Sequence, residues 1–410
     1  MSWKHKALGR LCASKNGWIS FFSMSLELEI KAEAKRLGFQ LSGFTTPDKP
    51  PHAGVFECWL ANERYGEMGY LARERSRHCR ADPRLILSEC RTILILGIRY
   101  PASSRRGGGS PGVSKVSGNI HGRLASYAWG SDYHEILPER MQQLVKWIET
   151  RLGAVIPHRC YTDTGPILER DLAQCAGLGW IGKNTCLINP SQGSYFFLAE
   201  ILLGVDLEPD PPFTADRCGT CTRCQEACPT SCILPDRTLD ANRCISYLTI
   251  ELKSAIPSDL RTRLGDWVFG CDICQQVCPW NQRYATPEGD PAFMPRSEYS
   301  NPDLLHEIAH SPQSFNRKYK HSAVRRAKHA GYLRNLVVAL ANQAIAHPEM
   351  VHDAIESLQQ VLFWEPEPLI RGHAAWGLGQ LDHPQARQAL SLALQHETNP
   401  YVLEEIKSAL

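Results

Sequence analysis

The chain has 410 residues, 43% of them hydrophobic and 21% charged, and a formal net charge of +2. These values are ordinary for a globular protein, and the length predicts about two to four domains. The near-neutral charge excludes a general attraction to nucleic acid, so any surface for such a partner must be local. No apolar run approaches the roughly 18 residues of a membrane-spanning helix, so we expect no membrane segment.

The N-terminus carries no recognisable export signal. Its apolar stretch Trp18–Phe22 is short, and no small-residue cleavage site follows it. We therefore expect a cytoplasmic protein. Residues 1–23 are predicted to form a loose extension, and Met24 could serve as a second start directly before the first helical pattern.

Residues 24–207 combine helical and strand-like apolar spacing, which predicts a mixed α/β domain. The predicted elements are helices at about 25–38 and 137–152, strands at Thr92–Leu96 and Phe196–Leu203, and a mobile glycine-rich loop at Arg105–Gly118. The glycines of that loop do not follow a phosphate-binding pattern, so no ligand is assigned to it.

The cysteines carry the most specific signal in the chain. Sixteen cysteines in a long chain without an export signal indicate metal or redox chemistry rather than disulfides. The run from Cys218 to Pro229 has the spacing C-x2-C-x2-C-x3-C-P, which is the bacterial ferredoxin motif. The run from Cys271 to Pro279 repeats it with one cysteine missing, which Cys244 can supply.

These eight cysteines predict two [4Fe–4S] clusters in a ferredoxin-type domain at residues 208–285. In two-cluster ferredoxins the last cysteine of a run ligates the other cluster. The predicted ligands are therefore Cys218, Cys221, Cys224 and Cys278 for one cluster, and Cys228, Cys244, Cys271 and Cys274 for the other. The segment between the runs is free to form a helix, predicted at Asp240–Lys253.

Two alternatives remain at this point. Two C-x2-C pairs can hold structural zinc, although zinc does not favour the full ferredoxin run. Cys232 fits neither run and is predicted to be a small buried residue.

The C-terminal part is predicted to be helical. Residues 286–330 form a basic connecting segment, and residues 331–410 contain similar helical patterns at Leu333, Ile370 and Val402. Their spacing is typical of paired-helix repeats of the HEAT type.

Asp163 is the first candidate for a reacting group outside the cysteines. It lies in a turn-forming D-T-G-P segment, where a partly buried carboxyl could be a proton donor with a raised pKa. It could equally cap the following helix. Lys183 and Asn184 follow closely spaced glycines, which suits a polar ligand near the backbone. A lone histidine such as His134 is more often structural than a ligand.

The chain resembles the epoxyqueuosine reductase family, which modifies tRNA. The matching segments are Met68–Leu71, Tyr127–His134, Asp163–Pro166, Gly182–Thr185, Cys218–Pro229, Arg243–Glu251, Gly270–Cys274 and Arg371–Trp376. They extend over nearly the whole chain from about residue 25, which makes the resemblance specific.

The resemblance implies an α+β multidomain protein with a cobalamin-binding domain, two clusters that feed it electrons, and helical repeats. It implies two-electron reduction of the epoxide of epoxyqueuosine, at the tRNA wobble position, to queuosine, with Asp163 as proton donor. This is the last step of queuosine biosynthesis. The implied contacts of base-off cobalamin are Ser126, Tyr127, Asp163, Lys183, Asn184, Ser246 and Asp272.

A tRNA partner with a GUN anticodon would need a local basic surface. No Asp or Glu occurs between Ile308 and Pro348, and Tyr319 and Tyr332 interleave with basic residues there. The predicted phosphate contacts are Arg317, Lys318, Lys320, Arg325 and Arg326, and Arg334 belongs to the same stretch. The alternative is a solvated helix face.

The main rival function is a corrinoid iron–sulfur reductive dehalogenase acting on small molecules. Such enzymes are typically exported and have no reason for a basic helical C-terminus. An electron-carrier protein with a ferredoxin insert would not need Asp163. We further expect a monomer and a low-potential electron donor that the sequence does not identify.

Overall fold

The computed structural model describes residues 25–102, 120–296 and 299–410. The N-terminal extension at 1–23, Met24 and the glycine-rich loop at Arg105–Gly118 lie outside these ranges. Among the described helices, none combines the length and the apolar character needed to span a bilayer.

A four-stranded antiparallel sheet organises the first part of the chain. The strands of the described residues are β1 (Leu41–Thr45), β2 (Thr92–Arg99), β3 (Arg123–Leu124), β4 (His158–Tyr161), β5 (Trp180–Ile181), β6 (Leu187–Ile188), β7 (Phe196–Leu203) and β8 (Trp267–Phe269). The strand order in the four-stranded sheet is β1-β2-β7-β4. The prediction for β7 is confirmed, and β2 begins as predicted but continues to Arg99. Both are central strands that are buried along nearly their whole length, which is why their sequences are almost continuously apolar.

Alternate side chains of β7 point to two different apolar layers. Phe197, Ala199 and Ile201 join the main core, whereas Phe196 and Leu202 join a second, smaller cluster. Glu200 lies at a position of the second face and is 0% exposed.

The α-helices pack on and beyond this sheet. They are α1 (Leu26–Arg36), α2 (Ala53–Ala61), α3 (Glu74–Ala81), α4 (Tyr133–Leu152), α5 (Glu169–Cys175), α6 (Arg223–Glu226), α7 (Ile245–Ile250), α8 (Ser258–Arg261), α9 (Ile273–Gln276), α10 (Pro279–Tyr284), α11 (Leu304–Ile308), α12 (Pro312–Lys318), α13 (Lys328–Ala346), α14 (Val351–Trp364), α15 (Pro368–Gln380), α16 (Pro384–His396) and α17 (Pro400–Ala409). The predictions at 25–38 and 137–152 correspond to α1 and α4. Buried residues of α1 and α4 belong to the main core, and buried residues of α5 belong to the second cluster.

The cysteine-rich region contains only short helices. The helix predicted at Asp240–Lys253 is wrong in its extent, because the chain forms a tight turn at Ala241–Arg243 and α7 is confined to Ile245–Ile250. Cys244 separates the two in an extended conformation (φ −72°, ψ 123°). The extended backbone of Cys244 thus interrupts the helical pattern.

The cysteine-rich region is not packed as a separate body. Strand β8 pairs in parallel with β3, and the residues around α7 share the main core with α4 and the C-terminal helices. The segment predicted as a connection contains α11 and α12, and its Asp290 forms an ion pair with Arg140 of α4 at 2.7 Å. These contacts hold the cysteines and the α/β part in a fixed relation.

The last five helices stack in two layers. Helix α15 packs between α13 and α17, and α14 packs against α16 on the other side. The three similar sequence patterns fall on α13, α15 and α17, so they share one layer. This is the arrangement that paired-helix repeats predict, and their assignment to the HEAT type stays an interpretation.

Arg334 joins these helices to the cysteine-rich region. Its side chain is fully buried and donates to the carbonyl oxygens of Leu248 (2.6 Å), Leu252 (2.9 Å) and Ser254 (2.8 Å). Its inclusion in the basic surface stretch was therefore wrong, because the guanidinium satisfies backbone acceptors inside the protein.

Candidate active site and cluster-binding region

The N-terminus of α4 positions two side chains of the candidate site. Asp132 caps the helix by accepting a hydrogen bond from the backbone N–H of His134 at 3.0 Å. This cap fixes the first two helical residues, Tyr133 and His134, whose rings lie 4.0 Å apart. The Tyr133 ring stacks on Phe197 of β7, with ring centres at 4.3 Å. Both side chains are thereby anchored to the sheet.

Asp163 lies two residues beyond the end of β4 and faces these side chains. Its carboxylate accepts a hydrogen bond from the Tyr133 hydroxyl at 2.9 Å and lies 3.6 Å from Nε2 of His134. The side chain is 65% exposed, so a ligand can reach it, although protein surrounds the site closely enough to affect its pKa. It does not cap α5, which begins at Glu169 after Leu168 without a side-chain cap. The helix-capping alternative is therefore excluded.

The proton at this site does not reside on Asp163 in the free protein. Burial pushes the pKa of Asp163 upward, but the hydrogen bonds from His134 and Tyr133 outweigh it and hold the pKa below its usual range. Burial would lower the pKa of His134, whereas its hydrogen bonds to Asp132 and Asp163 raise it to about 9. The expectation of a raised pKa for Asp163 was wrong, because an imidazolium neighbour stabilises the carboxylate.

Two further acidic residues surround Asp163, and sequence reasoning missed both. Glu169 accepts a hydrogen bond from the backbone N–H of Asp163 at 2.6 Å. Burial, followed by the charge of Asp163, raises the pKa of Glu169 to about 7. Glu200 is buried on β7, one strand away. An acidic residue amid the apolar pattern of β7 was the only available signal.

The predicted cobalamin contacts include two buried polar groups without a protein partner. Ser126 is 1% exposed and Asn184 4% exposed, and within the described residues neither Ser126 Oγ nor Asn184 Nδ2 has a hydrogen-bond partner. Buried polar groups are normally paired, so such groups indicate a ligand or solvent partner. The residues present thus fit a polar ligand.

Tyr127 and Asp272 lie beside Ser126. The backbone N–H of Ser126 donates to the Asp272 carboxylate at 2.7 Å, and the Tyr127 ring lies 6.0 Å from that of Phe269. Burial, followed by the charge of Asp163, raises the pKa of Tyr127 well above its usual value. Tyr127 therefore lies near Asp163.

Lys183 and Ser246 lie closer to the cysteines. The ammonium of Lys183 donates to the carbonyl oxygens of Gly219 (2.8 Å) and Cys221 (3.0 Å), so it supports the first cysteine loop. This contact differs from the predicted cobalamin contact. Ser246 lies in the first turn of α7, two positions after Cys244. Its backbone N–H is among the groups that stabilise the Cys244 thiolate.

The cysteines form two neighbouring groups. Burial, with the nearby thiolates of Cys218 and Cys278, raises the pKa of Cys224 to about 11. Burial, with the charges of Cys244 and Cys228, raises the pKa of Cys271 well above its usual value. Cys278 thus lies with the first run, although it is the last cysteine of the second.

The spacing of these sulfurs does not suit zinc. A tetrahedral zinc site with Zn–S bonds of about 2.3 Å brings its sulfurs to about 3.8 Å from one another. Within the described ranges, no three cysteine sulfurs lie within 4.8 Å of one another. A cube-shaped cluster needs its cysteines further apart, so the geometry disfavours the zinc alternative.

Cys232 and Cys186 lie against predicted cluster ligands. Cys232 is 3% exposed, as predicted, and its sulfur lies 3.4 Å from that of Cys228. Cys186 forms a hydrogen bond with Cys274. The sequence motifs did not reveal either contact.

The predicted tRNA-binding residues differ in their surroundings. The side chain of Lys318 forms an ion pair with the buried Glu307, and Tyr319 and Tyr332 are buried beside it. The two tyrosines therefore belong to the interior, and the ammonium of Lys318 is engaged by an internal carboxylate. Arg317, Lys320 and Arg325 are exposed.

Arg326 is also exposed, but it is paired. Its guanidinium contacts Glu251 at 2.7 Å and is close enough to Asp163 to contribute to lowering the pKa of Asp163. The basic surface therefore reaches the candidate active site.

Comparison with known proteins places the chain in a family. Residues 217–281 match the family described as 4Fe-4S double cluster binding domain, and residues 80–164 match that described as Epoxyqueuosine reductase QueG, DUF1730. An epoxyqueuosine reductase of Pseudomonas aeruginosa is 38% identical over 353 residues, which cover 86% of this chain and 94% of the relative. The chain belongs to the epoxyqueuosine reductase family. The Escherichia coli epoxyqueuosine reductase is 37% identical over 356 residues, covering 87% of this chain and 89% of that one.

Solved structures of epoxyqueuosine reductases have the same fold. A selenomethionine-labelled epoxyqueuosine reductase matches with a TM-score of 0.83 at 31% identity, over 94% of this chain and 98% of the other. An epoxyqueuosine reductase with a tRNA-Tyr epoxyqueuosine-modified stem loop matches with a TM-score of 0.82, at 31% identity and over 94% and 97% of the two chains. Family membership confirms the resemblance and the double-cluster domain, and the reductive dehalogenase alternative is not favoured.

Proposed function

We propose that this chain reduces the epoxide of epoxyqueuosine in tRNA to the alkene of queuosine, with Asp163 as the acid that protonates the epoxide oxygen. The observation that carries the proposal is the exposed Asp163 carboxylate between the Tyr133 hydroxyl and His134. Family membership supports the reaction, and the position of the Asp163 carboxylate supports its role as the proton donor.

The overall reaction defines what the site must provide. The epoxide takes up two electrons and two protons and yields an alkene and one water molecule. As the C–O bonds break, negative charge develops on the oxygen, and a positioned acid lowers the barrier by protonating it. In the free protein the proton resides on His134, whose pKa is raised to about 9 by its two carboxylate neighbours, and it can pass to Asp163 through their contact.

Cobalamin is the proposed cofactor beside Asp163. The unpaired Ser126 Oγ and Asn184 Nδ2 support a polar ligand there, and Tyr127, Ser246 and Asp272 complete the proposed contacts. When bound, cobalamin would supply a strongly reducing or nucleophilic cobalt centre. Lys183 has backbone partners in the first cysteine loop, so a contact with cobalamin would compete with its hydrogen bonds to Gly219 and Cys221.

Electrons would reach this site through the two clusters. The proposed ligands are Cys218, Cys221, Cys224 and Cys278 for one cluster, and Cys228, Cys244, Cys271 and Cys274 for the other. The proximity of Cys278 and Cys224 supports the crossed assignment. The electron donor is proposed to be a low-potential one-electron carrier.

The substrate would approach from the side of α12 and the turn that follows it. The exposed residues Arg317, Lys320 and Arg325 support contacts with phosphates, and Arg326 lies nearest to Asp163. A tRNA with a GUN anticodon is the proposed substrate, taken up by a monomer in the cytoplasm.

The substitution Asp163→Asn tests the proton-donor role. An amide preserves the size of the side chain and can still bond to Tyr133, but it cannot release a proton. We expect turnover of epoxyqueuosine in tRNA to fall at least about 100-fold, with cobalamin and iron content unchanged. The exposed Asp236→Asn serves as a matched control with normal turnover. Near-normal turnover by the Asp163 variant would exclude Asp163 as the essential acid.

A further inference from the structure

Glu200 is a buried acidic residue that the proposed reaction does not use. It lies at the centre of β7, opposite Tyr161 of β4 and Ile95 of β2, and its side chain is fully buried. Neither carboxyl oxygen has a hydrogen-bond donor within the described residues. A buried ionised carboxylate in such surroundings is strongly disfavoured, so Glu200 requires a proton or a partner.

Glu169 is the acidic neighbour that acts most strongly on Glu200. Burial, then the charges of Glu169 and Asp163, raise the pKa of Glu200 well above its usual value, and a protonated Glu200 would have the Glu169 carboxylate as a possible acceptor. Two ionised carboxylates can only accept hydrogen bonds, whereas a protonated one can donate. One proton on Glu200 therefore converts two repelling acceptors into a donor and an acceptor.

Glu169 connects this pair to the backbone of Asp163. Its Oε1 accepts the N–H of Asp163 at 2.6 Å. Asp163 has a φ of 58°, in the left-handed region that residues other than glycine rarely adopt. Such a conformation persists only where neighbouring contacts hold it. Glu169 can provide that contact because α5, which it begins, is anchored in the second core cluster by Leu172.

We propose that Glu169 and Glu200 form a latch that holds Asp163 in its left-handed conformation, with its carboxylate directed at Tyr133 and His134. In this latch Glu200 donates to Glu169, and Glu169 accepts from the Asp163 backbone. Both are positioning residues. The catalytic consequence of the latch rests on the proposed role of Asp163, whereas its structural consequence does not.

The latch depends on a single proton, which makes it sensitive to pH. The charged groups that act on the pair are Asp163, which disfavours a second negative charge, and Arg170 and Arg80, which favour ionisation of Glu169. His134 offsets part of the charge of Asp163. When the pH rises far enough to remove the proton from Glu200, two adjacent carboxylates repel each other and Glu169 loses its donor.

Two substitutions of Glu200 distinguish the effect of its hydrogen bond to Glu169 from the effect of its ionisation. Glu200→Gln keeps a donor for Glu169 but cannot ionise, whereas Glu200→Val fills the apolar layer and removes the donor. Leu202→Val is the matched control, because it alters the same face of β7 without touching Glu169. Glu169→Ala removes the acceptor directly and covers the case in which a Glu200 variant folds poorly.

Hydrogen–deuterium exchange of the peptide spanning residues 161–168, in the full-length reconstituted protein, reports the latch directly. We expect Glu200→Val and Glu169→Ala to lower its protection factor about tenfold, the value of one hydrogen bond to a charged group. Glu200→Gln and Leu202→Val should stay within about twofold of the wild type. As the pH is raised stepwise above neutrality, the wild type should lose protection at a lower pH than Glu200→Gln.

Turnover of epoxyqueuosine in tRNA provides the second measurement. We expect Glu200→Val and Glu169→Ala to lower kcat with little change in KM, and Glu200→Gln to retain kcat and extend activity to higher pH. Unchanged protection in both Glu200→Val and Glu169→Ala would overturn the latch. If protection falls but both these variants and Asp163→Asn remain fully active, the latch stands and the proton-donor role of Asp163 is refuted.

Discussion

The exposed basic residues near α12 should set the salt dependence of tRNA binding, and the buried ones should not. The test variant replaces Arg317, Lys320 and Arg325 with alanine, since all three are exposed. The comparison variant is Lys318→Gln, which lies in the same stretch of sequence but has its ammonium paired with the buried Glu307.

Counterion release gives the size of the effect. Each phosphate contact contributes about 0.7 to 0.9 to the slope of log Kobs against log salt. Loss of three contacts should therefore reduce the slope by about 2 to 3. At about 0.15 M salt, this corresponds to a loss of affinity of roughly 50- to 160-fold.

Fluorescence anisotropy with a labelled anticodon stem loop, measured between about 50 and 400 mM KCl, provides the assay. Lys318→Gln should keep the wild-type slope, because an internal ion pair releases no counterions on binding. A triple variant with an unchanged slope would remove these residues from the interface. An equal flattening by Lys318→Gln would refute the distinction between exposed and internal cations.

Three further results are expected. The pKa of His134 in the folded protein is raised to about 9, so protonated His134 stabilises the fold. This stabilisation is fully present below about pH 6.5 and is lost as the pH rises through 9. Urea unfolding should show the stability gap between wild type and His134→Gln closing over that range; since the side chain is 35% exposed, the gap should be no more than about 1 kcal/mol. Cys278→Ser should lower the iron content of the reconstituted protein from about eight to about four atoms per chain, whereas Cys232→Ser should leave it near eight. Arg334→Met should destabilise the protein by about 2–4 kcal/mol in chemical unfolding, because three buried carbonyl groups lose their donor.

The sequence was most informative where a local pattern determines the structure. Strand β7 was predicted with both ends correct, because a buried central strand is almost continuously apolar, with Glu200 as the exception here. The two cysteine runs were equally readable, since their spacing reflects the geometry of the cluster. The helix around Cys244 was predicted too long, because helical periodicity does not reveal that the backbone of Cys244 is extended.

Residues that meet only through the fold could not be predicted. Asp163 and His134 are separated by 29 positions, and their pairing depends on β4 and the N-terminus of α4 arriving at the same edge of the sheet. Tyr332 illustrates the opposite error. Its position among basic residues indicated a surface, yet its hydroxyl lies 2.9 Å from that of Tyr319 in the interior.

The low pKa of Asp163 in the free protein is compatible with its proposed work as an acid. Asp163 and His134 lie in contact and each shifts the pKa of the other, so a proton taken from Asp163 by the substrate oxygen can be replaced from His134. The hydrogen bond from Tyr133 to Asp163 further stabilises the carboxylate, which makes the free site charged and hydrated. A bound nucleoside would displace water from this exposed carboxylate, and desolvation disfavours the charged form of both partners. Transfer of the proton from His134 to Asp163 would neutralise the two together, so substrate binding itself would prepare the acid that the epoxide requires.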